Sequence, residues 1–198
     1  MKRGSIMVLE NDSSEINEKL KTSSPDPSFI DTTFQTLNNR HQIIYEFVMR
    51  YDDYIYDTHD YGTGVPLTMI ESHTLTYIDD HPGTTVTELT HFWHKTKGAI
   101  SQIVTRLEQN GLVSKQKKED NAKLVRLYTT EAGARASNAH KMYDIIDITK
   151  TLGEIGEKCT PEEIDTFFRV MQVYYGVISK DFEENQIPKR QGRRKKKK

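Results

Sequence analysis

Residues 97–106, KGAISQIVTR, carry the side chains best suited to recognition chemistry. Read at helical spacing, Lys97, Ser101, Gln102, Thr105 and Arg106 share one face. Ile100, Ile103, Val104 and Leu107 recur at three- and four-residue steps on the other and face a core. Gly98 and Ala99, near the start, let the backbone come close to a partner. Amide, hydroxyl and guanidinium groups on one rigid face match the donor and acceptor pattern of base edges in a major groove. A basic hairpin follows, with Lys117, Lys118, Asn121 and Lys123 at its tip. Residues 85–126 hold eight Lys or Arg against four acids, while the whole chain is −1. A polar-faced helix coupled to a basic hairpin is the electrostatic footprint of a nucleic-acid binder.

Other chemistries find less support. The chain has no Gly-rich phosphate loop, no G-x-S-x-G and no H-E-x-x-H. Its acids sit at helix starts, where they complement the helix dipole. No catalytic residue and no cofactor is expected. His91 and His94 are three residues apart, a spacing able to chelate zinc. His41, His59, His73 and His81 are separate candidates that only a fold could gather. With no Cys–Cys or His–acid cluster read at metal-ligand spacing, no metal site is expected, and His91 and His94 read as surface or phosphate-contacting groups. Cys159 is the single cysteine, which rules out an intramolecular disulfide framework and fits a reducing cytoplasm.

These groups need positioning elements. Thr85 with Glu88 makes a capping box for a helix over 86–93, and Thr96 caps the helix over 97–110. Asn110-Gly111 stops it. Strands are expected over 112–117 and 123–128 around a polar turn. Upstream, Thr68 and Glu71 cap a helix to about Asp80. Phe34, His41, Val48 and Ile55 are seven apart, with Leu37, Ile44 and Tyr51 as a second seam, which predicts a helix that packs on other helices. Thr130 starts a long helix to about Leu152. Thr160-Pro161-Glu162-Glu163 starts a last one that runs to about residue 182.

The organisation follows. Residues 1–28 read as a flexible, polar arm with prolines. Residues 29–65 give an N-terminal helix and loop, residues 66–130 the reader, and residues 131–184 two further helices. Residues 185–198 read as a disordered basic tail with eight positive charges over 189–198. The apolar run over 6–9 is too short for a signal-peptide core, and no run approaches the ~20 apolar residues of a membrane span. A cytoplasmic protein without membrane contact is expected.

Residues 89–113, LTHFWHKTKGAISQIVTRLEQNGLV, resemble the winged helix-turn-helix of the MarR family of bacterial transcription regulators. Leu127-Tyr128-Thr129-Thr130-Glu131-Ala132-Gly133 resembles the family's end of wing and next helix. The resemblance implies a mainly α fold with a small β-wing, flanked by N- and C-terminal dimerisation helices. It implies a cytoplasmic, nucleoid-associated homodimer on a palindromic operator in double-stranded DNA, most often a ligand-responsive repressor. Thr96 then falls on the family's capping hydroxyl and residues 97–106 on its recognition helix. Asp120 falls on the wing aspartate. The family's usual arginine after that aspartate is absent, since Asn121-Ala122 follow, and wing contact passes to Lys118 or Lys123. Many relatives release DNA on binding a small aromatic effector, and Tyr45, Met49, Tyr54 and Trp93 are the residues here that suit such a crevice. The competing expectation is a winged-helix protein-interaction scaffold without specific DNA binding, for which the missing wing arginine argues.

Overall fold

The computed structural model describes residues 11–21, 26–118 and 121–194. Side chains at 11–15, 40, 118, 121–123 and 182–194 lie outside that description. The elements are α1 (Asn11–Leu20), α2 (Pro27–Tyr56), β1 (Thr58–His59), β2 (Leu67–Thr68), α3 (Met69–Asp80), α4 (Val86–Trp93), α5 (Lys97–Gln109), β3 (Val113–Lys118), β4 (Asn121–Thr129), α6 (Glu131–Gly156) and α7 (Pro161–Arg194). The expected class, mainly α with a small β-wing, is the one found. No helix among the described residues is long and apolar enough to cross a membrane.

The chain divides into two compact units, one of residues up to Asp60 with Pro66–Glu71, the other of Tyr61–Val65 with Ser72 onward. In the first, β1 and β2 pair antiparallel, Thr58 opposite Thr68 and His59 opposite Leu67. Thr68 and Glu71 form the expected capping box: the Thr68 amide donates to Glu71 Oε2 at 2.9 Å and the Glu71 amide to Thr68 Oγ1 at 3.4 Å. Along α2, Phe34, Leu37, Val48 and Tyr51 of the heptad seams are exposed.

The second unit holds the core. Leu75, Ile78, Leu89, Ile100, Val104, Leu107 and Leu127 are all buried there. Each contributes roughly 1.5–3 kcal/mol relative to an exposed position. They come from α3, α4, α5 and β4, so the helical and strand periodicities converge on one centre. β3 and β4 pair antiparallel from Val113 opposite Thr129 to Lys117 opposite Val125, and the register shifts between Lys117 and Lys118. The Gly83 amide donates to the Leu127 carbonyl and the Leu127 amide to the Thr84 carbonyl, both at 2.8 Å, so the loop before α4 docks on the wing.

Thr130 joins wing to α6. Its amide donates to the Leu112 carbonyl at 3.0 Å. Its hydroxyl donates to the Gly111 carbonyl at 2.7 Å and accepts the Gly133 amide at 3.0 Å. This brings α6 so near β3 that a Cβ at Gly133 would lie 1.9 Å from the Leu112 carbonyl oxygen. Backbone cannot yield as a flexible side chain does. Gly133→Ala is therefore expected to destabilise the protein by about 1–3 kcal/mol, read as a lower urea midpoint at unchanged slope. A variant as stable as the parent would contradict this packing.

Two segments depart from the sequence expectation. Residues 11–20, expected within a flexible arm, form α1, and Lys19 in its last turn lies 5.2 Å over the Phe29 ring. A cation there suits both the helix C-terminus and the ring face. The last helix, expected to end near 182, continues to Arg194. Its added residues are mostly Glu, Gln, Lys and Arg, which are good helix formers. Of the rest of the expected arm and tail, residues 1–10, 22–25 and 195–198 lie outside the described residues, and Pro27 and Ser28 already belong to α2.

Candidate nucleic-acid interface

The helix pair α4 and α5 is set by its caps. The Thr85 amide donates to Glu88 Oε2 at 2.7 Å and the Glu88 amide to Thr85 Oγ1 at 3.3 Å. The Thr85 hydroxyl, then its amide, hold the Glu88 carboxyl below the usual carboxylate range. His94 closes α4 in the left-handed conformation, φ 49°. That turn is tight enough for Thr96 to cap α5 two residues later, accepting the Ala99 amide at 3.3 Å.

α5 then divides by face. Ile100, Ile103, Val104 and Leu107 are buried, at 5% exposure or less. Lys97, Gly98, Gln102 and Arg106 are exposed, and Ala99, Ser101 and Thr105 half-buried. Ser101, Gln102, Thr105 and Arg106 line one open depression. Four residues of the expected recognition face thus share one depression, with Lys97 and Gly98 exposed at the start of the same helix.

The wing is more selective than its charge count. Lys115 Nζ lies 2.6 Å from Glu108 Oε2, an ion pair between β3 and the end of α5. Arg126 donates to the Gly83 carbonyl at 3.0 Å. Both cations hold the fold together. Lys117 remains exposed. Lys118 and Asn121 are opposite one another in the backbone register, and Lys123 follows on β4. The side chains of these three lie outside the described residues.

The proposed effector contacts fall in different units. Tyr45 and Met49 are exposed on α2. Tyr54 is half-buried on α2, its ring 5.8 Å from Tyr51 and 5.9 Å from His59. Trp93 is half-buried on α4, its ring 5.0 Å from Phe92 and 6.5 Å from His73.

The histidines sort differently from their linear spacing. His91 is exposed. His94 Nε2 lies 3.1 Å from the Tyr175 hydroxyl on α7. His41 and His81 have Nδ1 within 3.2 and 3.0 Å of the carbonyls of Leu37 and Tyr77 one turn earlier. The fold instead gathers His73 of α3 with His140 and Asp144 of α6. The available signal was His140-x-x-x-Asp144, a His–acid pair one helical turn apart. It stood unnoticed because its third member comes from a distant helix.

Residues 67–125 match the MarR family model. An uncharacterized HTH-type transcriptional regulator, YhjH of Bacillus subtilis, is 32% identical over 84 residues, 42% of this chain and 48% of that protein. The chain thus spans about half the length of the curated relative it matches. Among solved structures, the MarR family transcription regulator SP03579 superposes with a TM-score of 0.54 at 16% identity, over 77% of this chain and 94% of that one. Lactococcus lactis ZitR, solved in complex with DNA, gives 0.54 at 17% identity, over 74% and 97%. Likeness at such identity speaks to fold. With the capped helix pair and its wing, residues 67–125 are thus similar in sequence and in fold to the winged helix-turn-helix of MarR family transcription regulators.

Proposed function

We propose that this chain is a DNA-binding transcription regulator that reads a palindromic operator as a homodimer and represses from it. The observation that carries this reading is the two-sided α5. One side is buried in the core, and the other offers Gln102 and Arg106, flanked by Ser101 and Thr105, in a single open depression. A helix anchored in this way presents its polar face rigidly, as base readout requires. The fold shared with ZitR, itself solved with DNA, supports the same reading. Such a protein works on the nucleoid in the cytoplasm. Ligand response is part of the proposal, with Tyr45, Met49 and Tyr54 on α2 and, separately, Trp93 on α4 as candidate contacts for a small aromatic effector.

The test begins with the duplex segment that the protein protects upstream of its own gene. Gln102→Ala should reduce affinity for it by about 1–3 kcal/mol and relax the preference at one base position. Arg106→Ala should weaken operator and random duplex alike if it meets phosphate. Anisotropy titrations with both duplexes, alongside circular dichroism for folding, measure this. If both folded variants keep the parent's operator affinity, α5 is not the reader. The wing that lacks the family's arginine would then favour the protein-interaction scaffold.

A further inference from the structure

We propose that His73, His140 and Asp144 bind a borderline divalent transition-metal ion, with Zn2+ as its principal occupant, and that the ion clamps α3 to α6. The inference does not depend on DNA binding. Each residue offers one ligand atom, and the three lie within 4.8 Å of one another. His140 Nε2 is 3.4 Å from Asp144 Oδ2, and His73 Nε2 is 3.8 Å from the same oxygen. Ligand atoms about 2.1 Å from a tetrahedral ion stand roughly 3.4 Å apart. The cluster therefore needs only small side-chain adjustments to close on one ion.

An ordinary His–Asp ion pair explains the cluster less well. Charge-assisted hydrogen bonds to carboxylates measure about 2.7–2.9 Å, shorter than either separation here. His140 is 2% exposed, and neither of its ring nitrogens has a hydrogen-bond partner among the described residues. A buried imidazole whose nitrogens lack such partners is costly in a native interior, and its acceptor lone pair is what a metal ion takes. A metal ion satisfies that lone pair and offsets the carboxylate's charge at once.

The donor set chooses the class of ion. Two imidazoles and one carboxylate suit Zn2+ and its neighbours in the first transition row. Ca2+ and Mg2+ demand more oxygens than the cluster offers. No thiolate is present to favour Cu(I). Aromatic rings border the cluster: the Tyr61 ring is 4.9 Å from His140 and 5.2 Å from Tyr143, and the His73 ring is 6.5 Å from Trp93. Tyr77 of α3 also lies 4.3 Å from Phe92 of α4, so fixing α3 reaches the helix pair directly.

The full chain, stripped with a chelator, would be titrated with Zn2+ against a chromophoric competitor and separately with Co2+ as a spectroscopic probe. One ion per chain is expected, with visible Co2+ absorption of tetrahedral strength and a higher melting temperature on Zn2+ addition. His73→Gln and Asp144→Asn alter half-buried residues and should fold, as circular dichroism would check. Each should weaken Zn2+ binding about 100-fold or more and abolish the melting shift. His140→Gln should do the same where it folds. A His91→Gln/His94→Gln double variant should bind like the parent. Parent-like Zn2+ affinity in both His73→Gln and Asp144→Asn would overturn the site, as would a parent that fails to take up Zn2+ at micromolar concentration. These readouts use no DNA, so their failure and a failure of operator binding are separate results.

Discussion

Raising the salt from about 50 to 200 mM should weaken duplex binding by this chain roughly ten-thousand-fold. The expectation comes from counting cations by position. Lys97, Arg106 and Lys117 are exposed on α5 and the wing. Lys123 follows on β4. Four such contacts per protomer give a dimer about eight phosphates, hence a slope of log affinity against log salt near −7. Lys97→Ala and Lys117→Ala should each flatten that slope by about two in the dimer, and Lys123→Ala should do so if it replaces the family's wing arginine. Lys115 and Arg126 make a sharper control. Their heads are held by Glu108 and the Gly83 carbonyl, so removing their charge should leave the slope nearly unchanged, at some cost in stability. Removing residues 189–198 should lower non-specific affinity and flatten the slope, while discrimination between operator and random duplex survives. Loss of discrimination with the tail would show that the winged helix is not the main reader, to the benefit of the scaffold alternative.

What could be read ahead of the structure was whatever short-range chemistry decides. Thr68, Thr85, Thr96, Thr130 and Thr160 each begin a helix as expected, because a capping hydroxyl acts within three residues. The split of α5 into Ile100, Ile103, Val104 and Leu107 against Gln102 and Arg106 was legible for the same reason, since periodicity is local. Long-range geometry was not. Nothing near Arg126 in the chain announces that its guanidinium reaches Gly83, and a charge count treats it like Lys117. Gly133 looked like a detail of the resemblance until Leu112 stood against it. His140 and Asp144 were adjacent on a helix face, yet His73 needed the fold to join them. α1 and the extension of α7 were missed for another reason. Polar, charged segments satisfy the composition of a flexible arm and of a solvated helix equally, and composition does not choose between them.

A double substitution, Ile146→Asp with Val173→Asp, should leave each protomer folded but make it monomeric at micromolar concentration. It should also cut affinity for a palindromic duplex by about 100-fold or more. Ile146 on α6 is 65% exposed and Val173 on α7 is 63% exposed, so an aspartate at either place displaces nothing in the protomer's own core. Both sit among other exposed apolar residues: Met142, Ile145 and Ile148 on α6, and Phe167, Phe168, Val170 and Val177 on α7. Soluble monomers rarely leave contiguous apolar patches beyond a few hundred Å2 in water. A second copy of the chain is the partner that also fits the reader, because palindromic half-sites one turn apart, about 34–36 Å, call for two-fold symmetry. Coupling two α5 helices through such an interface makes the second half-site's binding intramolecular, and that gain disappears with the interface. Sedimentation would report the oligomer, circular dichroism the fold, and titrations with full and half palindromes the coupling. The half-site affinity of the variant should match the parent's, since α5 is untouched. A variant that stays dimeric and binds the full palindrome like the parent would remove α6 and α7 from the interface and leave the exposed stripe of α2, Phe34, Leu37, Val48 and Tyr51, as the surface to test next.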